Sequence, residues 1–134
     1  MNNYYLDSSA ILKLIFEEKE SSYLRKNLRG NFLTSEISRV EVIRSVLRHQ
    51  PDLHEYALAV LRQLKIIKIK SAIVMSAENF PVHIKLGSLD ALQLASAMQI
   101  YPASKTVVTY DREMAIAAQE LGFEVLSPGV NVLS

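Results

Sequence analysis

Four acidic residues stand where a folding chain normally avoids charge: Asp7 in YYLDSSAILKLI, Glu41 in SRVEVIRSVL, Asp90 in GSLDALQLASAM and Asp111 in TVVTYDREMA. Carboxylates are rarely buried unless they are paired or bound to a metal. Four of them set in apolar sequence suggest one shared site for a hard divalent cation. Each alone has an ordinary account. Asp7 and Asp111 are placed to cap the helices that follow them. Asp90, in a first helical turn, would complement the helix dipole, worth about 0.3–1 kcal/mol. Glu41 could pair with Arg44 or Ser45 on its own helix. A single shared site accounts for all four acids at once, and that is the reading adopted.

The chemistry follows from the ligand type. All-oxygen carboxylate sets suit Mg²⁺ or Mn²⁺, which prefer octahedral oxygen coordination and keep several waters. Zinc would ask for histidine or cysteine. The chain has no cysteine, and its three histidines, His49, His54 and His83, show no metal-ligand spacing to one another. Clustered carboxylates repel, so without metal some of their pKa values should rise. One or two such ions held against a phosphate can orient a water, lower its pKa and stabilise the attacking and leaving oxygens. The expected reaction is hydrolysis of a phosphodiester by metal-activated water.

Alternating strands and helices must position these acids. Strands are expected at Asn3–Leu6, Phe32–Thr34, Ile66–Ile69, Thr106–Thr109 and Phe123–Leu126. Helices are expected from Ser8 to about Glu18, over Glu20–Leu28 (stopped by Gly30), and over Ile37–His49 (ended by the Gln50-Pro51 step). Further helices follow over Asp52–Leu64 with Asp52 as cap, from Ser71 to before Pro81, from a Ser88 cap to Tyr101, and over Arg112–Leu121. On the third helix Ile37, Val40, Arg44 and Leu47 form one stripe, with Glu41 on its border. Short apolar strands between helices imply a parallel sheet covered on both faces, an α/β architecture. Such sheets bind ligands at the carboxyl ends of their strands. Asp7 and Asp111 both follow strands and fall at that edge.

The bulk properties set limits. A chain of 134 residues with 49% apolar and 22% charged residues fits one globular domain spanning 1–134. A net charge of +1 offers no global basic field, so a nucleic acid would have to meet a local patch. The absence of cysteine excludes disulfides and thiolate chemistry. The uncharged run from Ala91 to Ser104 is too short and polar to span a bilayer, so no membrane partner is expected. The opening MNNYYLD lacks the form of a secretory signal, and a cytoplasmic location is the expectation.

YLDSSAILKL, TSEISRVEVIRS, GSLDALQLASAM, VVTYDREM and GFEVLSP, taken in order and spacing, resemble the PIN-domain family and within it the VapC ribonuclease toxins of toxin–antitoxin pairs. The likeness extends over nearly the whole chain. It implies a compact three-layer α/β/α sandwich with a central parallel sheet. It also implies a metal-dependent endoribonuclease whose Mg²⁺ or Mn²⁺ is held by Asp7, Glu41, Asp90 and Asp111. A homodimer, an RNA substrate and a small antitoxin inserting into the active-site groove belong to the same implication. Thr109 matches a hydroxyl residue that the family often carries two positions before the last aspartate.

Secondary positions surround the acids. Ser8 and Ser9 could donate to a ligated carboxylate or a phosphate, or cap the first helix. Thr109 is a candidate to orient Asp111. Arg112 could reach a phosphate, and Arg39 and Arg44 could form a basic edge beside Glu41. Other functions fit less well. A dehalogenase-type phosphatase would want an acid where Ser9 stands, and a receiver domain would want an aspartate after KIIKI, which lacks one. A non-catalytic PIN domain that only binds RNA or a partner would be signalled by a missing acid, and none is missing.

Overall fold

Tyr4 and Leu6 point to one side of the first strand and Tyr5 to the other, and two separate cores form around them. This strand, β1 (Asn2–Leu6), lies at the centre of a five-stranded parallel sheet in the computed structural model, which describes residues 2–134. The other strands are β2 (Gly30–Ser35), β3 (Lys65–Ile67), β4 (Thr106–Val108) and β5 (Glu124–Leu126), in the order β3-β2-β1-β4-β5. All four strand pairings are parallel.

Helices α1 (Ser8–Ile15), α2 (Ser21–Asn27), α3 (Glu36–His49) and α4 (His54–Arg62) supply Ile11, Leu24, Val42, Val46 and Leu61 to the core on the Tyr4–Leu6 side. Helices α6 (Ser88–Gln99) and α7 (Arg112–Glu120) supply Leu94, Met114 and Ala118 to the Tyr5 side. Helix α5 (Ser71–Glu78) packs against α6. The expected α/β/α sandwich is therefore the observed one.

The strand order reverses beside β1. The chain runs outward through β2 and β3, then returns to place β4 on the other flank of β1. Crevices at such a reversal are where open parallel sheets bind ligands. The register pairs Tyr5 with Val107 and Leu6 with Val108, and the Asp7 amide continues the ladder to the Val108 carbonyl at 3.2 Å. Asp7 and Thr109 are thereby brought level at the carboxyl ends of adjacent strands.

Several boundaries differ from the sequence reading, each for a local reason. Gly30 opens β2 rather than merely stopping α2, and a Cβ there would collide with the Asn2 carbonyl of the neighbouring strand. Asp52 lies in a 3₁₀ turn (Pro51–Leu53) that prefixes α4, and it makes no cap bond. Ser88 is the first residue of α6, with Gly87 in the cap position and no side-chain cap. α1 stops at Ile15, where Phe16 turns extended. The stripe Ile37–Val40–Arg44–Leu47 is not the buried face of α3. Val40 and Leu47 are exposed, and the inward face carries Ser38, Val42 and Val46.

Candidate active site at the sheet switch point

Asp7 is buried at 3% exposure, and both carboxylate oxygens are engaged. Oδ1 accepts from the Ser9 hydroxyl at 2.6 Å and the Ala10 amide at 3.0 Å, so Asp7 also caps α1. Oδ2 accepts from the Thr109 hydroxyl at 2.5 Å. The donors are held in turn: Ser9 Oγ accepts the Tyr110 amide at 2.8 Å and Thr109 Oγ1 accepts the Asp111 amide at 3.0 Å. Burial raises the Asp7 carboxyl from 3.8 to about 6, against the pull of these hydrogen bonds, and the negative charge of Asp111 adds to the rise.

Asp111 stands at the start of α7, where its Oδ1 accepts from the amides of Glu113 and Met114 at 2.9 and 3.2 Å. The capping account of both strand-end acids is therefore correct as far as it goes. Capping leaves Asp111 exposed and facing the other acids. Asp90 lies in the first turn of α6 and is half-buried. Its carboxyl is raised by burial and then by the charges of Asp111 and Glu113. Glu41, half-buried on α3, is raised by burial and by the charge of Asp90, and the Ser8 hydroxyl and Gln93 amide work against the rise. The four acids thus form a chain of mutual repulsion, Asp7–Asp111–Asp90–Glu41, along one edge of the sheet.

Among the described residues no three acidic or histidine side chains are drawn together as a closed ligand group. The donor chemistry nevertheless fits a hard cation: carboxylate and hydroxyl oxygens, with neither thiol nor imidazole among them.

The secondary positions divide. Ser9 and Thr109 orient an acid, but Thr109 serves Asp7 rather than the Asp111 carboxylate, which it touches only through the backbone amide. The parallel register is the reason, because it sets Thr109 beside Asp7. Arg112 does not face the acids. Its guanidinium donates to the carbonyls of Val132 and Ser134 at 3.0 and 3.3 Å. Among the described residues Glu41 has no ion pair with Arg44, and Arg39 and Arg44 both lie exposed on α3.

Sequence reasoning missed the side chain that Glu41 does use. Gln93 Nε2 donates to Glu41 Oε1 at 2.7 Å, while Gln93 Oε1 accepts from Ser38 Oγ at 2.6 Å and the Tyr5 hydroxyl at 3.2 Å. The signal was present as spacing: Gln93 is three residues beyond Asp90, Ser38 three before Glu41, and Tyr5 two before Asp7. Glu113 was also missed; it lies two residues after Asp111, beside Asp90. A shallow groove of about 590 Å³ adjoins it, lined by His83, Lys85, Gly87 and Ile116.

The PIN-domain model matches residues 4–120 of this small α/β/α sandwich. The chain belongs to the PIN-domain family. It is 36% identical to Ribonuclease VapC47 of Mycobacterium tuberculosis (strain CDC 1551 / Oshkosh), over 93% of this chain and 96% of that protein. It is 33% identical to Ribonuclease VapC46 of Mycobacterium tuberculosis (strain ATCC 25618 / H37Rv), over 92% of this chain and 96% of that protein. In structure it resembles a toxin–antitoxin complex chain from Klebsiella pneumoniae, at a TM-score of 0.74 and 18% identity, covering 93% of this chain and 97% of that one. It also resembles Mycobacterium tuberculosis VapC20, a sarcin–ricin loop cleaving toxin, at 0.71 and 14%, covering 93% and 99%. Among the described residues no helix is long and apolar enough to cross a membrane.

Proposed function

We propose that this chain is an endoribonuclease of the toxin type, dependent on Mg²⁺ or Mn²⁺ held by Asp7, Glu41, Asp90 and Asp111. The observation that carries the reading is the charge-coupled chain of these carboxylates along the switch-point edge. Relatives named as VapC ribonucleases at 33–36% identity support the substrate class. A bound cation would supply Lewis acidity toward a phosphodiester and lower the pKa of water. The chain's own groups do the rest. Ser9, Thr109 and the Ala10 amide fix Asp7 in one rotamer, and Gln93 fixes Glu41. The groove beside Glu113 offers a course for the RNA strand, with Lys85 as its cationic contact.

The partners follow from surfaces. A small antitoxin inserting a segment into the active-site groove, whose wall beside Glu113 carries Lys85 and Ile116, is the partner that the family resemblance implies. Solved structures of similar fold are toxin–antitoxin complexes. Exposed Val40 and Leu47 on α3 and Val74 and Met75 on α5 supply apolar surface for a homodimer.

The test is cleavage of single-stranded RNA by the purified protein with Mg²⁺, with Mn²⁺ and with EDTA, alongside Asp7→Asn and Asp90→Asn. Cleavage should need the ion and fall at least about 100-fold in each variant. Cleavage indifferent to EDTA and to both substitutions would overturn the reading. A folded protein that binds RNA without cutting it would assign the fold to binding alone.

A further inference from the structure

Gln93 is 1% exposed, and its amide has only one workable orientation. Ionised Glu41 can only accept hydrogen bonds, so the amide nitrogen must face it. The amide oxygen then receives both hydroxyls, from Ser38 and from Tyr5. A flipped amide would set oxygen against carboxylate.

The three partners lie on different elements, and each element carries an acid. Tyr5 shares its strand face with Asp7, two residues on. Ser38 shares a helical face with Glu41, three residues on, and its amide is itself capped by Ser35 Oγ at 3.3 Å. Gln93 shares a face with Asp90, three residues before it. One buried side chain thus ties β1, α3 and α6 together behind the acids.

We propose that Gln93 is a positioning residue, setting the orientation of the Glu41 carboxylate toward the site it shares with Asp7 and Asp90. The proposal rests on the metal-site reading above. It differs from simple core packing because the amide reaches the carboxylate itself. Groups that orient metal-binding side chains commonly change affinity by roughly 10–100-fold when removed.

The experiment is Mn²⁺ titration by calorimetry on the full chain, with thermal unfolding and RNA cleavage measured on the same samples. Gln93→Met keeps length and loses every hydrogen bond, and it should weaken Mn²⁺ binding by roughly 10–100-fold. It should lower kcat with little change in KM for RNA. Because Gln93 acts through Glu41, the double variant with Glu41→Gln should bind Mn²⁺ no more weakly than Glu41→Gln alone. Should Gln93→Met fail to fold, Ser38→Ala frees one anchor of the amide and should give a smaller loss in the same direction. If Gln93→Met, or Ser38→Ala in its place, shifts only the melting temperature and leaves Mn²⁺ affinity unchanged, Gln93 is a packing residue and the proposal is overturned. If the parent chain binds no Mn²⁺, or Glu41→Gln binds it normally, the metal reading itself falls and takes this proposal with it.

Discussion

Thr109 and Asp7 end adjacent strands, and their side chains meet at 2.5 Å, with the Thr109 hydroxyl donating to Asp7 Oδ2. The contact lies within the buried edge of the sheet, so water cannot replace the donor. It joins the switch point to the acid that most needs fixing. Thr109→Val keeps the shape and deletes the proton. A hydrogen bond to a charged group contributes about 1.5–3 kcal/mol, and a loss of that size is expected in urea unfolding near neutral pH. Thr109→Ser should recover most of it. A Thr109→Val protein as stable as the parent would show that the contact contributes nothing.

Asp7 makes stability depend on pH in a direction opposite to that of a salt-bridged carboxylate. Its carboxyl is raised by burial from 3.8 to about 6. The folded value exceeds the unfolded one, so the group's contribution is fully present below about 3.8 and is lost as pH rises through about 6. Above that range the buried ionised carboxylate costs up to about 3 kcal/mol, at roughly 1.36 kcal/mol per pKa unit. Asp7→Asn is neutral at every pH. It should raise the unfolding free energy by about 1–3 kcal/mol near pH 7.5 and by little near pH 4 while abolishing cleavage. Denaturant melts at the two pH values decide it, and an equal effect at both would remove Asp7 as the cause.

Gly30 tests the strand geometry that levels Asp7 with Thr109. Its φ is +154°, and a Cβ would meet the Asn2 carbonyl on β1. Gly30→Ala must push β2 from β1 and should cost more than the roughly 0.4–1 kcal/mol by which the same replacement stabilises a compatible position. Chemical denaturation measures this directly. A neutral result would mean the two strands part more easily than their pairing implies.

The fold was largely legible because short β-branched and apolar runs separated by helical segments admit few arrangements other than a covered parallel sheet. The acids at strand ends were legible for the same reason: Asp7 and Asp111 occupy the edge that such sheets use. Two things were not legible. Which oxygen serves which acid depends on register, so Thr109 read as a partner of Asp111 proved to serve Asp7. Side chains that meet across elements carry only spacing as a signal, which names no partner. Gln93 in DALQLASAM and Ser38 in EISRVEV look like unremarkable helical polar residues, and only packing of α6 against α3 joins them to Glu41. The inward turn of Ser38 also explains why α3 shows Val40 and Leu47 to solvent, against the apparent stripe.

The chain of repulsion among the acids makes ion binding a proton-releasing event. Three carboxyls are raised in part by a neighbour: Asp7 by Asp111, Asp90 by Asp111 and Glu113, and Glu41 by Asp90. A divalent cation reverses the sign of that field and demands deprotonated ligands. With the Asp7 carboxyl at about 6, binding at pH 6 should expel roughly half a proton from Asp7 alone. Near pH 8 the share from Asp7 should fall close to zero, because that carboxyl is already ionised. Calorimetry in buffers of different ionisation enthalpy reads this number directly. Asp111→Asn removes one repelling charge, so it should lower the Asp7 and Asp90 carboxyls and shrink the release at pH 6. Release that is independent of pH, or unchanged by Asp111→Asn, would mean that the ion does not bind along this chain of acids.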